Sequence, residues 1–278
     1  WQKIAQRKNE NLEILPVTPK GEIDLNQLEE KLRSGTIKIL VCSHVSNVLG
    51  TIFPVEKMAT LAHKYGALIS VDGAQGVGHT QVNVKKLDVD FYAFSGHKIF
   101  APSGVGVLYG KFEHLKNLAP LFVGGGMPKT VTYENFVSED APHKFEAGTP
   151  PIAQAVGLGA ALEYVEHVGL ENILEHEKKL QQTLHHELAN IPTLKLIGES
   201  QNKISLQSFV LSDKSVYDVV TLLAEQEICV RSGHHCAQPI MNFFEIPGTI
   251  RASFSFYNTK EEIDLMVDAV KKAKLMLS

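Results

Sequence analysis

A chain of 278 residues, 44% hydrophobic and 21% charged, lies in the ordinary range of folded domains and is long enough for one large core and a smaller one. Its net charge of -4, with no dense stretch of Lys or Arg, argues against phosphate backbones and anionic membrane surfaces as partners. No apolar run approaches the ~20 residues of a spanning helix, and Trp1-Gln2-Lys3 has no signal-peptide layout, so the chain reads as cytoplasmic.

The chain opens on a polar helical stretch without an initiator Met, a cap or a preceding strand, which predicts that a further segment precedes Trp1. Residues 37–44, with Ile37, Ile39, Leu40 and Val41 leading into Cys42-Ser43-His44, form the nearly continuous apolar run of a strand buried on both faces. Pro54 opens a helix through Met58, Leu61, Ala62 and Tyr65, which Gly66 ends. A second apolar run, 67–71, follows at once, so the segment is a βαβ unit. Strands over 91–94 and 105–109 continue the alternation of an α/β domain, a mainly parallel sheet flanked by helices. Such sheets bind ligands at the carboxyl ends of their strands.

A loop-rich stretch over 123–151 carries Gly124-Gly125-Gly126 and is expected to be ordered by contacts, another subunit's among them. Helical periodicity runs over 153–189 with a break near Gly169. After Pro192 come strands over 204–211, a helix over 216–226, further strands and a last helix. In that helix Ile263, Met266, Val267 and Val270 share a face, and Lys271, Lys272 and Lys274 lie near its carboxyl end, where cations suit the helix dipole. The pattern divides the chain into a large domain, 1–168, and a smaller C-terminal α+β domain, 169–278.

The string Phe94-Ser95-Gly96-His97-Lys98 puts a lysine just past a buried strand, where a Schiff-base lysine belongs. A lysine taken alone is ordinarily a surface residue. In Val71-Asp72-Gly73-Ala74-Gln75, however, an acid ends the preceding strand, and a carboxylate so placed pairs with a pyridinium nitrogen. Asp72 alone reads as a turn cap; the two together favour the chemical reading. The three cysteines, Cys42, Cys229 and Cys236, have no paired spacing and suit a reducing compartment. Cys42 in a strand and Cys229 between Ile228 and Val230 read as apolar filler. Cys236 follows His234 and His235 in a Gly-containing segment, and nearby basic groups would favour its thiolate. Adjacent His234, His235 and Cys236 point apart in an extended chain, so no metal site is expected. The glycines of Gly73-Ala74-Gln75-Gly76-Val77-Gly78 lack the dinucleotide spacing, and Gly124-Gly125-Gly126 is most simply a flexible turn. His185-His186 read as solvated.

These strings, with His44-Val45-Ser46-Asn47-Val48-Leu49-Gly50, Phe145-Glu146-Ala147-Gly148-Thr149-Pro150, Arg231-Ser232-Gly233-His234-His235-Cys236-Ala237 and Arg251-Ala252-Ser253, span nearly the whole chain. Together the chain resembles the fold-type I pyridoxal-phosphate enzymes of the class V aminotransferase group, and within it the SufS-like (type II) cysteine desulfurases. The lysine string marks the wider group; the string containing Cys236 is specific to type II. The resemblance implies pyridoxal 5'-phosphate joined to Lys98, with Asp72 at the pyridine nitrogen, Gln75 at the phenolic oxygen, and Ser95 and His97 at the phosphate. Asn47 would lie near the phenolic oxygen and the substrate carboxylate, which Arg251 would clamp with its two-pronged donors. Thr149 would reach the phosphate of a neighbouring subunit, which implies a homodimer.

The implied reaction takes sulfur from L-cysteine. Lys98 moves the α-proton, Cys236 attacks the substrate sulfur, and a persulfide on Cys236 and free alanine result. A SufE-like or SufU-like acceptor would take the sulfur on toward iron-sulfur cluster assembly. Two alternatives stand beside this reading. One is selenocysteine lyase activity toward L-selenocysteine on the same scaffold. The other is a non-catalytic fragment that only binds partners, because family chains carry further residues before the position of Trp1, including a phosphate-binding Thr and a His stacked on the ring.

Overall fold

The computed structural model describes residues 1–212 and 214–278. Two helices, α1 (Gln2–Lys8) and α2 (Leu25–Leu32), precede the first strand, and the Asp24 carboxylate caps α2 by accepting from the amides of Asn26 and Gln27. Strands β1 (Ile39–Ser43), β2 (Leu68–Asp72) and β3 (Phe91–Ser95) then run parallel. The ten-residue helix α3 (Val55–Lys64) supplies the crossover between the first two. Met58, Ala59 and Ala62 of α3 pack with Ile69 and Val71 of β2 and with Tyr92 of β3 in the first core. Burying a side chain of this size contributes about 1.5–3 kcal/mol.

Short helices α4 (Gly76–His79) and α5 (Val84–Leu87) lie between β2 and β3. Beyond β3 a single 3₁₀ turn, Gly96–Ile99, leads to β4 (Gly106–Gly110). The sheet order is β1-β2-β3-β4, and β4 is antiparallel to β3. The connection 96–105 is too short for a parallel crossover, which needs a dozen or more residues. The expected strand β1 is present but is half open. Leu40 and Cys42 pack on the core, whereas Ile39 and Val41 are 36% and 37% exposed.

The stretch after α6 (Phe112–Asn117) is loop-rich, as expected, apart from a hairpin of β5 (Pro128–Val131) and β6 (Phe136–Ser138). Helices α7 (Ile152–Val168) and α8 (Leu170–Ala189) meet at Gly169, whose φ of 87° ends the first and admits the second. In α8 the buried residues Ile173, Glu177, Leu180, Leu184 and Leu188 fall on one stripe. Ile173 belongs to the first core and Leu180 to the second.

The second core lies between α8, α9 (Val216–Ala224) and α11 (Lys260–Met276) and an antiparallel sheet. That sheet comprises β7 (Leu194–Ile197), β8 (Leu206–Leu211), β9 (Arg231–Gly233) and β10 (Thr249–Ser253), in the order β7-β8-β10-β9. Helix α10 (Gln238–Phe243) bridges β9 and β10. A reciprocal cap, Thr259 with Glu262, starts α11. No helix among the described residues is long and apolar enough to cross a membrane.

Candidate active site

The register aligns Ser43 with Asp72 and Asp72 with Ala93, so β1 and β2 end together and β3 runs two residues further in the same direction. Their following residues share one edge of the sheet: His44 to Asn47 after β1, Asp72 to Gln75 at the end of β2, and Ser95 to Lys98 after β3. The floor beneath them is Tyr92, 2% exposed, whose hydroxyl pairs with His44 Nδ1 at 2.8 Å. A Cβ at Gly73 would overlap the Tyr92 ring, so only glycine lets the chain after Asp72 lie over this phenol. Burial pushes the phenol of Tyr92 up, with the Asp72 charge adding to it, and burial pushes the imidazole of His44 down. Both stay uncharged.

Asp72 is exposed, and its Oδ1 accepts from the amide of Ala74 at 2.9 Å. Lys98 and His97 are exposed, and Gln75 and Ser95 are half-buried. The donor set has the chemistry that pyridoxal phosphate requires: a carboxylate for a ring nitrogen, a primary amine for its aldehyde, and hydroxyl and imidazole groups for a phosphate. Thr149 stands exposed in the loop before α7, and no hydrogen bond among the described residues joins it to the others.

From the other side the second sheet contributes Arg251 on β10 and the turn after β9. Arg251 Nη1 donates to the carbonyl of Asn47 at 2.8 Å, and Asn47 Nδ2 donates to the carbonyl of His235 at 2.7 Å. Asn47 is held there because Val48 and Leu49 are fully buried against Ile197 and Met241, and Ser208 Oγ donates to the Val48 carbonyl at 2.6 Å. Arg251 is half-buried, and its Nε has no partner among the described residues. That Nε is shut off from solvent, so a carboxylate would meet the outer nitrogens of the guanidinium. The structure therefore brings together Asn47, Arg251 and the segment bearing Cys236, and separately aligns Asp72, Gln75, Ser95, His97 and Lys98 on the strand ends.

The cysteines separate by environment. Cys236 is exposed. The Cys42 thiol is pushed up to about 12 by burial, with the Asp72 charge adding to it. Cys229, expected as filler, is exposed; it lies in the irregular segment between the turn after α9 and β9. The basic surroundings expected for Cys236 are also altered. His235 is 6% exposed. Burial, with the neighbouring Arg251 charge, lowers its pKa to about 4. Its ring is thus neutral and lends the thiol no positive charge.

Sequence reasoning missed two ties. His235 Nε2 reaches Thr249 Oγ1 at 3.0 Å and the Thr249 carbonyl at 3.2 Å. Glu177, 3% exposed, receives His79 Nδ1 at 2.7 Å and Ser255 Oγ at 3.0 Å, joining α4 of the first core to the end of β10. A carboxylate inside the apolar stripe of α8 was the available signal for the second. His185 also departs from expectation: its Nδ1 is buried and has no partner among the described residues.

The family model for class V aminotransferases matches residues 1–266. A probable cysteine desulfurase of Halalkalibacterium halodurans is 43% identical over 274 residues, 99% of this chain and 67% of the relative. A cysteine desulfurase of Escherichia coli is 43% identical over 278 residues, 100% of this chain and 68% of the relative. Among solved structures, the Escherichia coli cysteine desulfurase CsdA (S-sulfonic acid) superposes with a TM-score of 0.95 at 38% identity, covering 99% of this chain and 68% of that one. The chain thus spans about two thirds of the length of these relatives.

Proposed function

The chain belongs to the class V aminotransferase family, and from that premise we propose that it is a type II, SufS-like cysteine desulfurase dependent on pyridoxal 5'-phosphate, acting on L-cysteine. The observation that carries the reading is the chain of contacts from Arg251 through Asn47 to the carbonyl of His235, the residue before Cys236. A group suited to an amino-acid carboxylate and an exposed thiol thereby belong to one hydrogen-bonded unit. An enzyme that only transferred amino groups would have no use for that thiol.

Asp72 would hold a proton at the ring nitrogen of the cofactor, Gln75 and Asn47 would donate toward its phenolic oxygen, and Ser95 and His97 would bind its phosphate. Held at Lys98, pyridoxal phosphate would supply an electron sink for a carbanion at the amino-acid α-carbon. Arg251 and Asn47 would orient the substrate carboxylate. Lys98 Nζ would take the α-proton. The Cys236 thiolate attacks the substrate sulfur: the carbon–sulfur bond breaks, a sulfur–sulfur bond forms, and the carbon side leaves as alanine after protonation. L-cysteine and the Cys236 thiol thus become alanine and a Cys236 persulfide, with no outside oxidant.

On this reading residues 1–168 form the cofactor domain and residues 169–278 the smaller domain that carries Cys236. Thr149, exposed and without a partner among the described residues, serves the phosphate of a second copy in a homodimer. The persulfide passes to a SufE-like or SufU-like acceptor in the cytoplasm for iron-sulfur cluster assembly. The test is Cys236→Ser, which is expected to keep cofactor absorbance and lose persulfide formation. Mapping of the persulfide to Cys42 or Cys229 in the unsubstituted protein would overturn the assignment. Turnover of L-selenocysteine by Cys236→Ala at the unsubstituted rate, with L-cysteine turnover lost, would instead favour the lyase.

A further inference from the structure

The segment that presents Cys236 is a tight turn of an unusual kind. The amide of Ala237 donates to the carbonyl of His234 at 2.9 Å, and the two residues between them, His235 and Cys236, have φ of 53° and 60°. Two successive left-handed residues closed by such a bond make a turn of type I′, which normally uses Asn and Gly. Neither His nor Cys relaxes into that conformation unaided, because a Cβ crowds the backbone there.

Three contacts oppose that tendency. The His235 ring is buried, with Nε2 against both the hydroxyl and the carbonyl of Thr249. A carbonyl only accepts, so Nε2 carries the proton and donates. Asn47 Nδ2 fixes the His235 carbonyl. Thr249 is itself fully buried in β10, opposite Gly233 of β9, and a Cβ on Gly248 would come within 3.2 Å of the Gly233 backbone, so the base of the turn is closely packed.

We propose that His235 is a positioning residue: its ring, latched on Thr249, and its carbonyl, held by Asn47, clamp the left-handed turn that presents the Cys236 thiol, and couple it through Asn47 to Arg251. The proposal rests on the desulfurase reading for its catalytic consequence, but the clamp itself is observable without turnover. It assigns the two histidines before the cysteine different parts. His234 is exposed, whereas His235 acts on the backbone and not on the charge of the thiol.

The test compares four substitutions in the 278-residue chain supplied with pyridoxal phosphate: His235→Ala, His235→Gly, His235→Gln and Thr249→Val. One readout is hydrogen–deuterium exchange of the peptide containing residues 231–240. The others are kcat and KM for L-cysteine. His235→Ala is expected to speed exchange in that peptide at least tenfold, with strand β8 unchanged, and to lower kcat at least tenfold while KM stays within threefold. His235→Gly accepts a φ of 53° without strain but has no ring, and should fail as His235→Ala does. His235→Gln places an amide donor where Nε2 lies and should recover both readouts to within threefold. Thr249→Val keeps the shape and loses one acceptor, so it should show an intermediate effect and serves if the alanine variant does not fold. Unchanged exchange in His235→Ala, or full activity in His235→Gly, overturns the clamp. Absence of any persulfide from the unsubstituted protein favours the non-catalytic alternative instead, and the exchange results still decide the clamp.

Discussion

Asp90 stands just before β3, at the end of the sheet opposite the candidate active site, and is 2% exposed. Its carboxylate accepts from the amide of Ile69 at 2.7 Å and meets His63 Nε2 at 2.9 Å, Lys111 Nζ at 3.1 Å and His114 Nε2 at 3.2 Å. Burial alone would raise its pKa, but hydrogen bonds from His63, Ile69 and Lys111 outweigh that effect and bring it from the ordinary 3.8 down to about 2. At ~1.4 kcal/mol per pKa unit, that difference is roughly 2–3 kcal/mol of stability at neutral pH. The folded pKa lies below the unfolded one. The contribution is therefore complete above pH ~4 and is lost as the pH falls toward about 2. Asp90→Asn keeps the shape, removes the charge and turns an amide toward donors. It should lower the melting temperature by about 5–10 °C, at ~2–4 °C per kcal/mol for a chain of this size. The assay is thermal denaturation at pH 7 and urea denaturation of both proteins from pH 7 down to pH 3, with cysteine turnover measured at pH 7. The stability gap should hold constant down to pH ~4 and then narrow, while kcat stays unchanged. An unmoved melting temperature would refute the reasoning, as would a gap that widens in acid.

Two other expectations follow from the site. Lys98→Ala should abolish the yellow, borohydride-reducible chromophore of the protein supplied with pyridoxal phosphate; a chromophore that survives with its covalent bond intact would point to another lysine. Iodoacetamide at neutral pH should label the exposed Cys229 and Cys236 and spare Cys42, whose thiol is pushed up to about 12. Peptide mapping that finds Cys42 modified in the folded protein at a comparable rate would contradict its burial.

Much of the first sheet was legible because its signals are local. Pro54 and Gly66 bracket α3, apolar runs on either side mark β1 and β2, and Gly169 marks the break between α7 and α8. The positions of Asp72 and Lys98 were legible for the same reason, since one ends β2 and the other lies just past β3. The antiparallel direction of β4 was less so, because the length of its connection and not its composition decides it. The half-open face of β1 escaped notice because apolar composition does not distinguish a covered face from an uncovered one. The tie of His235 to Thr249 spans 14 residues and the helix α10, and that of Asn47 to His235 spans 188. Contacts of that range depend on how the two sheets meet. A histidine beside a cysteine therefore reads as a nearby base in the sequence, and only its burial reveals a backbone anchor.

The floor formed by His44 and Tyr92 has a consequence for how the site responds to its surroundings. Both rings are held uncharged by burial and hydrogen-bonded to each other. From neutral to mildly alkaline solution the electric field they cast upward on Asp72 and its neighbours is thus constant. A bowl with an electrically silent base leaves every change of charge to the groups at its rim and to the molecule that enters it. Over that range the acidity dependence of catalysis reports on the rim and the substrate, undistorted by titration from below.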